Sequence, residues 1–203
     1  MSNYLAIATV SATVGRLVGE ALERVPNPSG IPRVRFGPPQ VDPQYVGCTI
    51  FLFRVSTNAF RRNDDLATRD DNGVFVERPR AVVDVDYLFT FAGEEATLEP
   101  QRFLGAVVSA LHTRPFLSRE AIRRTIVGST YLKGSDLDAQ VHHVRFTPRD
   151  LDQQTMGQLW STFPQVPYNV SVVYTASAII IDADITPTVP PPVTEVHGDV
   201  SPR

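Results

Sequence analysis

Val82-Val83-Asp84-Val85-Asp86-Tyr87-Leu88-Phe89-Thr90-Phe91, closed by Ala92-Gly93, decides how this chain folds. In an extended strand successive side chains leave on opposite faces, so Val83, Val85, Tyr87, Phe89 and Phe91 line one of them. The following stretch, Gln101 to His112, carries Phe103, Leu104, Val107, Val108 and Leu111 at helical spacing. That spacing predicts an amphipathic helix with one apolar stripe. Pro100 suits a first helical turn, and Arg114-Pro115 ends the helix. Neither element holds a nucleophile beside a base, a phosphate-binding glycine loop or a metal-ligand set. The unit is rich in packing and poor in chemistry.

Working outward, Asn3 to Arg24 reads as a helix whose two apolar stripes adjoin, with small residues that allow close helix approach. Pro26 and Pro28 stop it. Residues 26–43 form a proline-rich connection around a short extended piece, Arg33-Val34-Arg35-Phe36. Thr49 to Ser56 reads as a central strand, apolar on both faces up to Arg54. Asn58 to Arg80 is a polar excursion, with Asn72-Gly73 as a hairpin signal beside Val74-Phe75-Val76.

Beyond Pro115, Ser118 is expected to cap a short helix from Arg119 to Val127, and Gly128 to Ala139 reads as irregular. Val141 to Phe146 is predicted as a strand. Thr147-Pro148-Arg149-Asp150 then reads as a helix start, with Thr147 as cap and proline at the first helical position. That helix would bury Leu151, Met156, Leu159, Trp160 and Phe163. Tyr168 to Ile181 is expected to be the longest strand, with Val170, Val172, Tyr174, Ala176 and Ala178 on its apolar face. After Asp184 the run Thr186-Pro187-Thr188-Val189-Pro190-Pro191-Pro192-Val193 has no periodicity and predicts an extended tail.

Composition narrows the function classes. The 203 residues suit one domain with appendages, and 42% hydrophobic with 20% charged residues suits a packed core. A net charge of -3 argues against a nucleic-acid binder held by a basic field. One cysteine, Cys48, excludes an internal disulfide framework and fits synthesis in a reducing cytoplasm. Its neighbours Thr49, Ile50 and Phe51 suggest a buried strand thiol. The N-terminus lacks the basic region of a secretory signal, and polar residues interrupt Leu5 to Val18, so no membrane span is expected. Action outside the cell would then require release inside a larger body or by lysis.

Candidate chemistry is thin. Asp84 and Asp86 share a strand face at the spacing of a carboxylate pair, which would suit a metal or acid–base work. The plainer reading pairs them with an arginine across the sheet, Arg54 or Arg80. His142 and His143 would point to opposite faces of a strand and so suit one metal poorly. Ser109 and Ser118 lack a nucleophile-elbow context. The excursion is the better candidate: Arg61, Arg62, Asp64, Asp65, Arg69, Asp70 and Asp71 nearly balance in charge, as an ion-pairing protein interface would. Interface candidates are therefore Asn58, Arg61, Arg62, Arg69, Arg80, Asp84 and Asp86. No catalytic, metal or cofactor residue is assigned.

The order of several blocks resembles a known family. These are Tyr4-Leu5-Ala6-Ile7-Ala8-Thr9-Val10 with Leu17, and Val55-Ser56-Thr57-Asn58-Ala59-Phe60-Arg61-Arg62-Asn63. Then come Asp86 to Gly93, Glu99-Pro100-Gln101-Arg102-Phe103-Leu104-Gly105 and Ala110 to Pro115. Leu159 to Phe163 and Tyr168 to Tyr174 close the series. The chain resembles the cap, or tail-terminator, proteins of extracellular contractile injection systems of the antifeeding-prophage and Photorhabdus virulence cassette type. The resemblance implies a mixed α/β (α+β) subunit; with the elements read above, the expectation is a domain over residues 1–185, with a mainly antiparallel sheet packed by N-terminal, central and C-terminal helices, followed by a proline-rich tail over 186–203. It implies a homohexameric ring that sits on the last inner-tube ring, caps the sheath end and stops polymerisation. Its partners would be further copies of itself, tube protein and sheath protein, with no nucleic acid, membrane insertion, cofactor or enzymatic activity. The protein would be cytoplasmic when made, then part of a particle that can be released. The competing readings are a soluble assembly adaptor and a small metal-dependent hydrolase using Asp84, Asp86 and Asp64 or Asp65.

Overall fold

The alternating stretch forms a strand of 13 residues, Arg80–Ala92, in the middle of a five-stranded sheet. The computed structural model describes residues 2–61, 69–71 and 73–185. In chain order the elements are α1 (Ala6–Leu22), β1 (Arg33–Phe36), β2 (Gly47–Thr57), β3 (Arg80–Ala92), α2 (Glu99–Thr113), α3 (Arg119–Val127), β4 (Arg145–Pro148), α4 (Gln153–Ser161) and β5 (Ser171–Asp182). The strands lie in the order β1-β2-β3-β5-β4. All pairings are antiparallel except β1 with β2. This is the expected α+β fold with a mainly antiparallel sheet.

One face of β3 is buried as its alternation requires. Val85, Tyr87, Phe89 and Phe91 pack with Val10, Val14 and Leu22 of α1 and with Phe103, Val107 and Leu111 of α2. The α2 stripe is narrower than its sequence suggests, because Val108 is exposed. Where β1 meets β2, Gly47 has φ +136, and an added Cβ would lie 2.0 Å from the Arg33 carbonyl oxygen. Only glycine combines that conformation with so close an approach. The second face carries a smaller core in which Trp160 and Phe163, at the end of α4, cover Leu88 of β3 and Val173 of β5.

Three sequence expectations are corrected. Val141 to Val144 is not strand; β4 begins at Arg145. The buried Gln140 side chain takes the strand's place, donating to the Ala178 carbonyl at 2.9 Å and accepting from the Ile180 N–H at 3.1 Å. Those backbone groups need partners, and one amide side chain supplies both kinds. Thr147-Pro148 does not start a helix. Both belong to edge strand β4, where a missing N–H costs nothing on the outer side. The true cap is Asp152, which accepts from the Thr155 N–H at 2.7 Å. Finally, β5 has 12 residues and is not the longest strand. Its regular alternation breaks at Ala178, which has φ +65, so Ile179 and Ile180 are both buried.

Trp160 is 7% exposed and meets Phe163 edge-on at 5.7 Å. Trp160→Ala should therefore cost about 3–5 kcal/mol in chemical denaturation. An unchanged midpoint would remove this second core from the account.

Candidate interface at one end of the sheet

The C-terminal end of β2, the start of β3 and the end of β5 meet at one end of the sheet, with Thr57 opposite Val83 and Arg80 opposite Asp182. Asn58 organises the exit from β2. Its N–H reaches the Val82 carbonyl at 2.9 Å, and its side-chain oxygen accepts from the N–H groups of Phe60 and Arg61, each at 3.1 Å. This Asx turn swings the chain off the sheet and leaves Phe60 97% exposed. An aromatic so exposed, beside an arginine, is the composition of an interface anchor.

Asp84 and Asp86 are each engaged by protein partners. The Asp84 Oδ1 accepts from the Asn58 amide at 2.9 Å and from the Ala178 N–H at 3.0 Å. The second bond satisfies the backbone group released where the β3–β5 register shifts. Asp86, 2% exposed, accepts from the Thr175 hydroxyl at 2.6 Å and from the Arg149 guanidinium at 2.5 Å. Arg54 approaches it at 3.9 Å. The cross-strand partner expected from sequence is thus present in Arg54, but the closer one is Arg149. Nothing local in the sequence pointed to Arg149, which lies 63 residues away.

The remaining candidates divide. Arg80 pairs with Asp182 at 3.3 Å and with Glu77 at 3.8 Å. Arg69 makes an isolated antiparallel bridge to Phe75, stacks on that ring at 3.8 Å and donates to the Gly73 carbonyl. Arg61 lies at the sheet end beside a cavity that Arg80 and His142 also line. Arg62, Asp64, Asp65 and Asn72 lie outside the described residues. His142 and His143 are exposed and sit in the loop before β4. Among the described residues no group of three potential metal ligands gathers, and no helix is long and apolar enough to cross a membrane. Cys48 is fully buried in β2, and burial pushes its thiol pKa far up, so the thiolate is suppressed.

Sequence reasoning did not single out Phe60 as exposed, since a phenylalanine beside a strand reads as core until the fold is known.

Residues 9–195 match the Pvc16 N-terminal domain family. The chain belongs to that family. Two solved structures share the domain's fold. One is the sheath/tube terminator of an extracellular contractile injection system, PVC, in its extended state; it has 15% identity and a TM-score of 0.62 over 97% of this chain. The other is the anti-feeding prophage cap, a tube-terminating cap, with 15% identity and a TM-score of 0.63 over 94% of this chain. This Pvc16 N-terminal domain chain spans 64% and 60% of those two chains. Comparison with curated proteins gave no match.

The Asp86 geometry orders the cost of removing each arginine. Arg149→Ala leaves a buried carboxylate short of its main charged donor and should cost about 2–3 kcal/mol. Arg54→Ala, a long contact from a half-exposed side chain, should cost under about 1 kcal/mol. Equal losses in urea denaturation would contradict this assignment.

Proposed function

We propose that this protein is a structural cap of a phage-tail-like contractile injection particle. Copies form a ring, homohexameric in this reading, on the last ring of the inner tube and at the sheath end, and so stop polymerisation. The observation that carries this reading is the family match together with a shared fold over nearly the whole described chain in two tube terminators. Its role is assembly, not catalysis. The subunit is made in the cytoplasm and leaves it, where it leaves at all, within the particle.

In this reading the sheet end bearing Phe60, Arg61 and Arg80 faces the tube, with Arg62 and Arg69 as further contacts. Asn58, Asp84 and Asp86 hold that surface in shape from behind, through the hydrogen bonds described above. A fully exposed aromatic provides burial on docking, while arginines set register and partner choice.

The test is tube length. Tube protein assembled with the wild-type chain should give tubes of bounded length by negative-stain imaging. Phe60→Ala, a change at a nearly fully exposed side chain, should leave the melting temperature within about 2 °C, yet yield longer and more variable tubes. Unchanged capping by that variant would remove this surface from the tube contact.

A further inference from the structure

Two surfaces at opposite ends of α2 complement each other. The first is the turn between β3 and α2. Glu94 and Glu95 are exposed and have no ion-pair partner among the described residues, and Leu98 is 57% exposed with φ +55. A left-handed leucine side chain in solvent is unfavourable on both counts. The turn is nonetheless rigidly held. Buried Glu99 accepts from the Glu94 N–H at 2.8 Å and from the Ser29 hydroxyl at 2.8 Å. Gly93 packs so close that an added Cβ would lie 2.8 Å from the Glu99 carboxylate. The result is a held knob with an aliphatic tip and two carboxylates that lack a cationic partner among the described residues, Glu94 accepting only from the Ala96 N–H at 3.1 Å and Glu95 from the Gln101 amide.

The second surface is a groove among α1, α2 and the start of α3, with two contiguous lobes of about 270 and 670 Å³. Leu17, Ala21 and Ala110 form its apolar floor, and Arg16, Arg24, Arg114 and Arg124 stand around it. Against these four guanidiniums the groove itself holds one carboxylate, Glu20, at 3.2 Å from Arg16 and 3.8 Å from Arg114. Arg124 turns to the exposed Glu120 at 2.8 Å, and Arg24 makes no ion pair among the described residues. An apolar floor under an excess of positive charge matches an aliphatic tip flanked by two carboxylates.

We propose that the Glu94–Leu98 turn of one copy seats in the α1–α2–α3 groove of the next copy, making the ring contact head to tail. This rests on the reading that copies assemble into a ring. The 15 residues of α2 separate the knob from Arg114 by about 22 Å, so a subunit cannot fill this end of its own groove. Unlike surfaces at opposite ends are what a closed ring needs, since each copy must offer one and accept the other.

Charge exchange tests the pairing. Self-association of the wild type, Glu94→Arg with Glu95→Arg, Arg24→Glu with Arg114→Glu, and all four changes together is measured by native mass spectrometry, alone and with tube ends. Each pair of changes should weaken association at least about tenfold, and the combined variant should recover most of it. A cysteine pair, Glu95→Cys with Arg114→Cys, should cross-link between copies under oxidation and never within one, since the length of α2 holds the two positions too far apart in one copy, and buried Cys48 adds no competing thiol. Rings that form equally in every variant, or assembled copies that give no cross-link, overturn the groove contact and leave the cap reading standing. A wild type that stays monomeric even on tube ends overturns both.

Discussion

A carboxylate buried in the central strand constrains the rest of the fold. Asp86 sits at 2% exposure, where an unpaired charge would cost several kcal/mol. Its two oxygens are met by Thr175 on β5 and by Arg149, just beyond β4. To deliver that guanidinium, the chain after β4 must cross the second face of the sheet. The Arg149 N–H also bonds to the Val173 carbonyl at 2.9 Å, which fixes its path. Helix α4 follows, and Trp160 near its end, with Phe163 just beyond it, closes the smaller core over Leu88 and Val173. The charge in the middle strand is thus met from the stretch that leads into α4, the helix that covers the apolar second face of the sheet.

Elements with a short repeat were legible in the sequence. The β3 alternation, the α2 stripe and the Ser118 cap of α3 each follow from residues within a few positions of one another, and the cap forms as expected, with Ser118 accepting from the Ala121 N–H. What was not legible depends on distant partners. Gln140 replaces a strand only because Ala178 and Ile180 present unpaired backbone groups across from it. Pro148 is acceptable in a strand only at the sheet's edge, and edge position is a property of the whole topology. Arg149 looked like part of a helix start because its partner is not local.

The candidate surface was legible in part. The excursion after Asn58 stood out by its arginines and aspartates, but composition cannot separate residues that hold the surface from those that present it. Asn58 and Asp84 prove to be hydrogen-bonded to each other behind the turn, while Phe60 stands fully exposed beside them. The same limit hid the groove, since Arg16, Arg24, Arg114 and Arg124 are scattered over three helices and their connections and converge only on folding. A chain with a rigid scaffold, charge-complementary ends and an exposed aromatic is equipped to join other surfaces. That suits a subunit whose work is done by position.

The central claim is that the protein marks the end of a tube. Particles assembled with a gold-labelled copy of the chain place it directly by electron microscopy. Label confined to one terminus of each tube, in a ring coaxial with it, is the predicted result. Label spread along the tube, or absent from finished particles that carried it during assembly, would contradict a cap.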